Sequence, residues 1–137
     1  MVAPTTPAPR ILVVEDEVLV RMTLTDTLED FGFTVEPVGS ASEAMDKVAD
    51  LRGRIDAAIL DVGLPDRTGD ALAVDLRALY ADLPIVIATG YEDGELRERF
   101  KGDRLVTFFA KPYNSAEVVP VLRSLGVRDP RNRTGLI

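Results

Sequence analysis

Residues 11–17 have the sequence Ile-Leu-Val-Val-Glu-Asp-Glu, four apolar residues followed directly by three carboxylates. A strand with one face in water alternates apolar and polar residues, whereas this run is apolar until it ends. Such a run is typical of a strand in a parallel sheet that helices cover on both faces. We therefore expect a buried strand here, with acidic side chains where it ends.

Similar short runs recur along the chain, at residues 33–38, 55–60, 85–88 and 105–109. Pro37 lies in the first of these. Because proline donates no hydrogen bond to a neighbouring strand, we expect that strand at an edge of the sheet. Together with residues 11–14, these runs predict five strands.

Segments with the apolar spacing of amphipathic helices separate the strands. Their apolar positions are Val20, Leu24, Leu28 and Phe31; Ala41, Ala44, Met45 and Val48; Leu72, Leu76, Leu79 and Tyr80; Leu96 and Phe100; and Val118, Val121, Leu122 and Leu125. Gly32 is expected to end the first helix, and Ser40 with Glu43 forms a capping box for the second. The fourth segment, 92–100, has few apolar residues and should pack weakly.

The last helix is expected to begin near Asn114, a good N-terminal cap, and to run to Gly126. Pro120 lies inside this segment, so the helix should kink or start late. The alternation of five strands with five helices predicts an α/β fold, a (βα)5 doubly wound five-stranded parallel sheet. Such sheets bind ligands at the carboxyl ends of their strands.

Length and composition limit the classes of function. The chain has 137 residues, the usual size of one domain, and 46% of them are apolar. We place the domain at residues 10–126, between a flexible N-terminal tail at 1–9 and a C-terminal tail at 127–137. A net charge of −7 disfavours direct contact with nucleic acid. No apolar run could cross a bilayer, so we expect a cytoplasmic protein. The absence of Cys and His excludes thiolate nucleophiles and His general bases.

Polar side chains follow four of the predicted strands, at Glu15-Asp16-Glu17, Asp61, Thr89 and Lys111. For any one of them, a solvated loop position is the ordinary explanation. Four strand ends at one edge of a sheet would, however, gather their carboxylates, which repel each other unless a hard divalent cation such as Mg²⁺ binds. A lysine and a hydroxyl beside them could hold the oxygens of a phosphoryl group.

Four short strings carry a resemblance to a known family: Val-Val-Glu-Asp-Glu (13–17), Asp61-Val-Gly-Leu-Pro65 with Gly69, Ala-Thr-Gly (88–90) and Lys111-Pro112. In this order they resemble the signature segments of the receiver domain of two-component response regulators, over roughly residues 10–125. The resemblance implies a flavodoxin-like receiver fold. Ala-Thr-Gly-Tyr (88–91) further resembles a subclass of single-domain regulators named for a Phe-Ala-Thr-Gly motif, although Ile87 stands where that motif has Phe.

The resemblance implies a phosphorylation site. Asp61 would be the phosphoacceptor and would also contact Mg²⁺. Asp16 would bind the metal directly, Glu15 would act through a water, and Gly63 would supply its backbone carbonyl. Glu17 is expected to be a solvated charge, and Asp66 and Asp70 to be loop and helix-start residues rather than ligands.

The same resemblance implies a conformational switch. Lys111 and Thr89 would contact the phosphoryl oxygens, with Lys111-Pro112 as a cis peptide. Phe108 would be an aromatic switch residue that turns inward as Thr89 moves, although a core phenylalanine is an equally good interpretation.

The function implied is that of a stand-alone phosphoryl-accepting signalling protein. A sensor histidine kinase or a histidine phosphotransfer protein would phosphorylate Asp61, and the protein would then control a downstream protein partner or pass the phosphoryl group on. Beyond its own phosphorylation and dephosphorylation it would not be an enzyme. A homodimer is left open, because Pro120 interrupts a helix of the family's usual dimer surface.

Three alternatives remain at this stage. A phosphatase or phosphotransferase with an aspartyl-phosphate intermediate needs an acid/base Asp two residues after the nucleophile, where this chain has Gly63. A receiver portion of a hybrid histidine kinase would have the same chemistry. A binding module that is not phosphorylated would have no use for the complete set of phosphorylation residues.

Overall fold

The structure is a computed structural model, described for residues 7–90, 94–111 and 114–131. Strands and helices alternate along the chain. The strands are β1 (Arg10–Val14), β2 (Thr34–Val38), β3 (Ala57–Asp61), β4 (Ile85–Thr89) and β5 (Val106–Ala110). The helices are α1 (Val18–Asp30), α2 (Ala41–Asp50), α3 (Gly69–Leu79), α4 (Gly94–Arg99) and α5 (Val118–Ser124), the last preceded by a 3₁₀ turn at Ser115–Glu117.

The five strands form one parallel sheet in the order β2-β1-β3-β4-β5, which confirms the predicted fold class. β2 lies at an edge, as Pro37 requires. The strand order reverses beside β1, between β1 and β3, and a ligand crevice forms at such a reversal. The register sets Asp61 opposite Ala88 and Thr89 opposite Ala110, so the carboxyl ends of the strands lie level with one another.

Helices cover both faces of the sheet. In β1, Leu12 and Val14 face one apolar layer, together with residues from α2, α3 and α4. Ile11 and Val13 face the other layer, with residues from α1 and α5. Because both faces are buried from Ile11 to Val14, this part of β1 has no position for a polar side chain, which explains its continuous apolar run.

Local signals set the helix boundaries with two departures from the predictions. Gly32, with φ +97°, follows α1, as expected of a glycine that stops a helix. α3 ends at Leu79, and this side chain is 58% exposed, so its predicted place in the apolar stripe is wrong. α2 has half of the predicted capping box, because Glu43 Oε1 accepts from the Gly39 amide instead of the Ser40 amide.

The last helix starts late, as Pro120 predicted. Asn114 caps a 3₁₀ turn, and the α-helix begins only at Val118. Pro120 then lies in the first turn of α5, where its missing amide removes no hydrogen bond from the helix. α4 is short and buries Leu96, while Phe100 beyond its end is half-buried.

The folded region extends past both predicted domain boundaries. The carbonyl of Pro9 accepts the amide of Thr34, and Val127 is buried. Arg128 donates to the carbonyl of Pro7 at 2.8 Å, and the Arg131 guanidinium lies 4.8 Å from the centre of the Phe31 ring. Residues 127–131 therefore pack against the domain, where the sequence analysis had expected a tail. Within the described part of the chain, no helix has the length and apolar character to span a bilayer.

Candidate functional site

A crevice of about 410 Å³ opens at the carboxyl edge of the sheet. It is lined by Asp16, Glu17, Asp61, Val62, Gly63, Thr89, Gly90 and Lys111. These residues come from the ends of β1, β3, β4 and β5, which the parallel register brings to one level. The fold thus brings together the polar strand ends that the sequence singled out.

Three carboxylates converge in this crevice. One oxygen from each of Glu15, Asp16 and Asp61 can be chosen so that all three atoms lie within 4.8 Å of one another. Glu15 and Asp61 are buried, whereas Asp16 is exposed. Two buried carboxylates this close together repel each other unless a cation lies beside them or one of them holds a proton.

Lys111 supplies part of that positive charge. Its Nζ lies 2.9 Å from Oδ1 of Asp61 and 3.7 Å from Oε1 of Glu15. The backbone of Lys111 is held in register with β4, because its amide donates to the carbonyl of Thr89 at 2.8 Å. Pro112 lies outside the described residues, and so does the predicted cis peptide between Lys111 and Pro112.

Glu15 is held with one oxygen satisfied and one unsatisfied. Oε2 accepts the amide of Glu17 at 3.1 Å, while Oε1 is buried and has no hydrogen-bond partner among the described residues. Burial raises the pKa of Glu15 to about 7, with a further increase from the charge of Asp61 and opposing effects from the Glu17 amide and Lys111. A buried, unsatisfied carboxylate oxygen beside two other carboxylates is the donor set that a hard cation prefers. The residues present therefore fit Mg²⁺.

The loop from Val62 to Thr68 forms one wall of the crevice. Gly63, whose carbonyl the resemblance assigns to the metal, is exposed there. The amide of Val62 donates to Ala88, and the amide of Gly69 donates back to Val62 at 2.9 Å. A Cβ atom at Gly69 would lie 2.1 Å from the carbonyl oxygen of Asp61, so only glycine allows α3 to begin this close to β3.

Thr89 and Phe108 lie on neighbouring strands. Thr89 is buried and lines the crevice. Phe108 is half-buried and packs towards α4: its ring makes an edge contact with Phe100 at 6.2 Å, and the Arg97 guanidinium lies 5.0 Å from its centre. The cation–π contact, which the sequence analysis missed, links the predicted switch residue to α4.

Two other acidic side chains near Asp61 make contacts that the sequence analysis did not anticipate. Asp70, in the first turn of α3, pairs with Arg99 of α4 at 2.6 Å. Burial opposes ionisation of Asp70, but hydrogen bonds from Thr68 and Arg99 outweigh it and lower the pKa of its carboxyl. Hydrogen bonds from the amides of Ser42 and Ala41 lower the pKa of Asp66. The carboxylate cluster consists of Glu15, Asp16 and Asp61 and includes neither residue.

Residues 11–123 match the family model of the response regulator receiver domain. The chain belongs to this family. Receiver domains are signalling domains that accept phosphoryl groups, interact with sensor kinases and downstream targets, and generally bind Mg²⁺ at an acidic pocket. In this receiver domain the acidic pocket is the cluster of Glu15, Asp16 and Asp61.

The receiver domain is similar to segments of several kinds of protein. It is 28% identical to the sensor kinase CckA of Brucella abortus, over 84% of this chain and 12% of the kinase. It is 32% identical to the transcriptional regulatory protein PdtaR of Mycobacterium tuberculosis, over 89% of this chain and 61% of PdtaR. The chain thus spans less than two thirds of the length of either relative.

Solved structures include the chemotaxis protein CheY4 of Vibrio cholerae, which matches with a TM-score of 0.78 at 27% identity. The match covers 86% of this chain and 98% of CheY4. The narrower assignment to the Phe-Ala-Thr-Gly subclass stays a prediction from residues 88–91.

Proposed function

We propose that Asp61 accepts a phosphoryl group from a phosphohistidine of a sensor histidine kinase or a histidine phosphotransfer protein, in a Mg²⁺-dependent reaction in the cytoplasm. The phosphorylated protein then controls a downstream protein or passes the phosphoryl group on. The observation that carries this proposal is the position of Lys111 Nζ, 2.9 Å from Oδ1 of Asp61, at the place where the three carboxylates converge.

The transfer is a nucleophilic displacement at phosphorus. A carboxylate oxygen of Asp61 forms the new P–O bond as the P–N bond to the donor imidazole breaks, and the electron pair of that bond leaves with the imidazole nitrogen. The product is an acyl phosphate on Asp61. Lys111, already beside this carboxylate, then donates a charge-assisted hydrogen bond to the phosphoryl oxygens.

The metal site would use oxygens only. Mg²⁺ bound by the carboxylates of Asp16 and Asp61 and the carbonyl of Gly63, with Glu15 acting through a water, would offset the negative charge of the transferring phosphoryl group. Glu15 and Asp61 are fixed at the ends of buried strands, so two of these groups are in place before any ligand arrives. The side chain of Asp16 faces solvent, from which the metal would enter.

The phosphoryl group would act on a switch next to the crevice. The hydroxyl of Thr89, on the wall of the crevice, would donate to a phosphoryl oxygen, and Phe108 would turn into the space that Thr89 leaves. The ring of Phe108 contacts Phe100 and Arg97, so its movement would disturb the packing of α4. Phosphorylation would thereby change the surface that a downstream protein contacts.

A patch of exposed apolar side chains supports a protein as the phosphoryl donor. Val18, Leu19 and Met22 of α1 are 55%, 77% and 54% exposed, and they follow directly after the acidic turn at Asp16 and Glu17. A protein that delivers a phosphohistidine to Asp61 would contact α1 beside Asp16 and Glu17, which line the crevice. Covering these side chains would remove apolar surface from water, which favours association.

Phosphorylation of a single residue tests the proposal. The wild-type protein incubated with Mg²⁺ and acetyl phosphate, or with a cognate kinase, should gain one phosphoryl group by intact mass spectrometry. Asp61→Asn should gain none, because the amide is not a nucleophile at phosphorus. Asp82→Asn, at an exposed position between α3 and β4, is the matched control and should behave as wild type. Labelling that persists in Asp61→Asn would disprove the assignment.

A profile of transfer rates against the purified kinases of the source organism would then identify the donor. A cognate kinase should transfer much faster than the others at equal concentration. Removal of Mg²⁺ with EDTA should abolish transfer from every donor. Transfer that continues without a divalent cation would contradict the metal site.

A further inference from the structure

The first turn of α2 is capped by two separate parts of the chain. The first amides of a helix have no partner within it, and Ala41, Ser42 and Glu43 supply three of them here. Ser40 Oγ accepts the amide of Glu43 at 3.1 Å. The carboxylate of Asp66 accepts the other two, with Oδ1 3.0 Å from the amide of Ala41 and Oδ2 2.8 Å from the amide of Ser42.

Asp66 belongs to the loop that follows Asp61. Backbone hydrogen bonds of Val62 and Gly69 hold the two ends of this loop, and Leu64 is buried in the apolar layer below it. Asp66 adds a connection from the loop to α2, 24 and 25 residues away along the chain. The charge is well placed, because the amino end of a helix carries a partial positive charge.

The loop that carries Asp66 also carries Gly63, which lines the crevice. Gly63 lies between the fixed amide of Val62 and the buried Leu64, and it lines the crevice together with Asp16 and Lys111. With no side chain, Gly63 makes no side-chain contact that could hold its carbonyl in place. The position of that carbonyl therefore depends on how firmly its neighbours in the loop are tied down.

We propose that Asp66 is a positioning residue for the phosphorylation site: by binding the amides of α2 it fixes the loop after Asp61, and with it the Gly63 carbonyl. This inference rests on the proposed function for its consequence, a higher affinity for Mg²⁺. The same contacts would make the loop from Val62 to Thr68 and the start of α2 move together. A purely structural Asp66 would stabilise α2 without affecting the crevice.

Three variants separate these two roles. Asp66→Ala removes both amide contacts, and Asp66→Asn keeps an oxygen that can accept one amide. Ser40→Ala is the matched control, because it removes the third acceptor of the same helix turn and leaves the loop untouched. Isothermal titration with MgCl₂ gives the metal affinity of each protein, and urea denaturation verifies that each is folded under the conditions used.

The expected result is a Mg²⁺ dissociation constant about ten times higher in Asp66→Ala, since loss of a group that orients a metal ligand typically costs at least this factor. Asp66→Asn should show a smaller increase, and Ser40→Ala should stay within about twofold of wild type. An unchanged affinity in Asp66→Ala, or an equal loss in Ser40→Ala, would overturn the inference.

Hydrogen exchange keeps this test separate from the proposed function. In the metal-free protein, the amides of Val62 and Gly69 should exchange faster in Asp66→Ala than in wild type, and at the wild-type rate in Ser40→Ala. Equal exchange in all three proteins would disprove the positioning role. If wild type binds no Mg²⁺, the proposed metal site fails, and the exchange rates still decide whether Asp66 holds the loop.

Discussion

The ammonium of Lys111 and the carboxylate of Asp61 meet at 2.9 Å, although 50 residues separate them in sequence. β5 and β3 are not neighbours in the sheet, so the lysine reaches across the end of β4 to make this contact. The contact places a positive charge at the point where a transferred phosphoryl group would gain negative oxygens.

Replacing Lys111 should therefore slow phosphorylation. For Lys111→Ala with acetyl phosphate as donor, we expect a rate about 100-fold lower, the usual effect of removing one preorganised donor from a site of developing charge. The rate is measured by intact mass at a series of times. Lys101→Ala removes an exposed lysine that pairs only with Glu98 among the described residues, and it should keep the wild-type rate.

Asp16 should be needed for metal binding. Asp16→Ala removes a carboxylate oxygen from the cluster, so the Mg²⁺ affinity measured by isothermal titration should fall by about tenfold or more. Glu17→Ala is the matched control: it removes an adjacent exposed carboxylate and keeps the backbone amide that Glu15 accepts. An equal loss in both variants would indicate a general effect of charge rather than a specific ligand.

Glu15 should make the metal-free protein less stable as the pH rises. Because burial raises the pKa of Glu15 to about 7 from an ordinary value of 4.5, the folded state holds this proton more tightly than the unfolded state. The free energy of unfolding should then fall between about pH 4.5 and pH 7, by on the order of 3 kcal/mol. Below this range Glu15 is protonated in both states, so the free energy of unfolding no longer depends on its titration.

Glu15→Gln removes that titration. In urea denaturation with EDTA, the difference in stability between the variant and wild type should grow in favour of the variant from pH 5 to pH 8. Titrating groups that do not interact with Glu15 are common to the two proteins, so their effects cancel. A difference that is the same at both pH values would show that Glu15 ionises in the folded state as it does in the unfolded chain.

The apolar patch on α1 should matter for a protein donor alone. In Leu19→Asp, phosphotransfer from the cognate kinase should be at least about ten times slower, since a charge would replace an apolar contact at the interface. Phosphorylation by acetyl phosphate should keep its rate. Leu79→Asp alters a leucine that is also exposed, at the far end of α3, and should leave both rates unchanged. A loss in both reactions would point to damage at the crevice.

Phosphorylation should change the packing of α4. New charge-assisted contacts from Thr89 and Lys111 to a phosphoryl group are worth about 1.5 to 3 kcal/mol each. That is enough to shift a weakly packed helix whose buried side chain is Leu96. Hydrogen exchange of peptides covering α4 should change when beryllofluoride and Mg²⁺ are added, with smaller changes in α2. Asp61→Asn under the same conditions should show no change. Unchanged exchange in α4 with beryllofluoride bound would contradict the proposal that a downstream protein reads a change in α4.

The inner strands could be predicted from sequence because burial on both faces affects nearly every residue of β1, β3 and β4. The runs at residues 11–14 and 85–88 admit no polar side chain, and Pro37 identified the edge strand by the hydrogen bond it cannot donate. Pro120 likewise predicted the late start of α5. These are local effects of backbone chemistry and layer burial, which leave a mark in the sequence.

The contacts that tie the site to its surroundings left no such mark. An aspartate such as Asp66 is common in loops, and nothing in the sequence indicates that it binds the amides of α2. Arg97 and Phe108 are 11 residues apart and meet because α4 packs over β5. Leu79 satisfied the spacing of an apolar stripe, but it is the last residue of α3 and is exposed. Each of these outcomes depends on where elements pack, which the spacing of residues does not specify.

Gly69 gives the domain a fixed internal spacing. A methyl carbon at this position would lie 2.1 Å from the carbonyl oxygen of Asp61, so α3 would have to move away from the sheet by about 1 Å to make room. Leu72, Ala73 and Leu76 of the same helix are fully buried, and they would be pulled out of their layer by that movement. The absence of a side chain at Gly69 therefore sets two distances at once: from α3 to the backbone of Asp61, and from the buried side chains of α3 to the sheet. Gly69→Ala should therefore displace the backbone of Asp61 and loosen the packing of the apolar layer below α3 in the same protein.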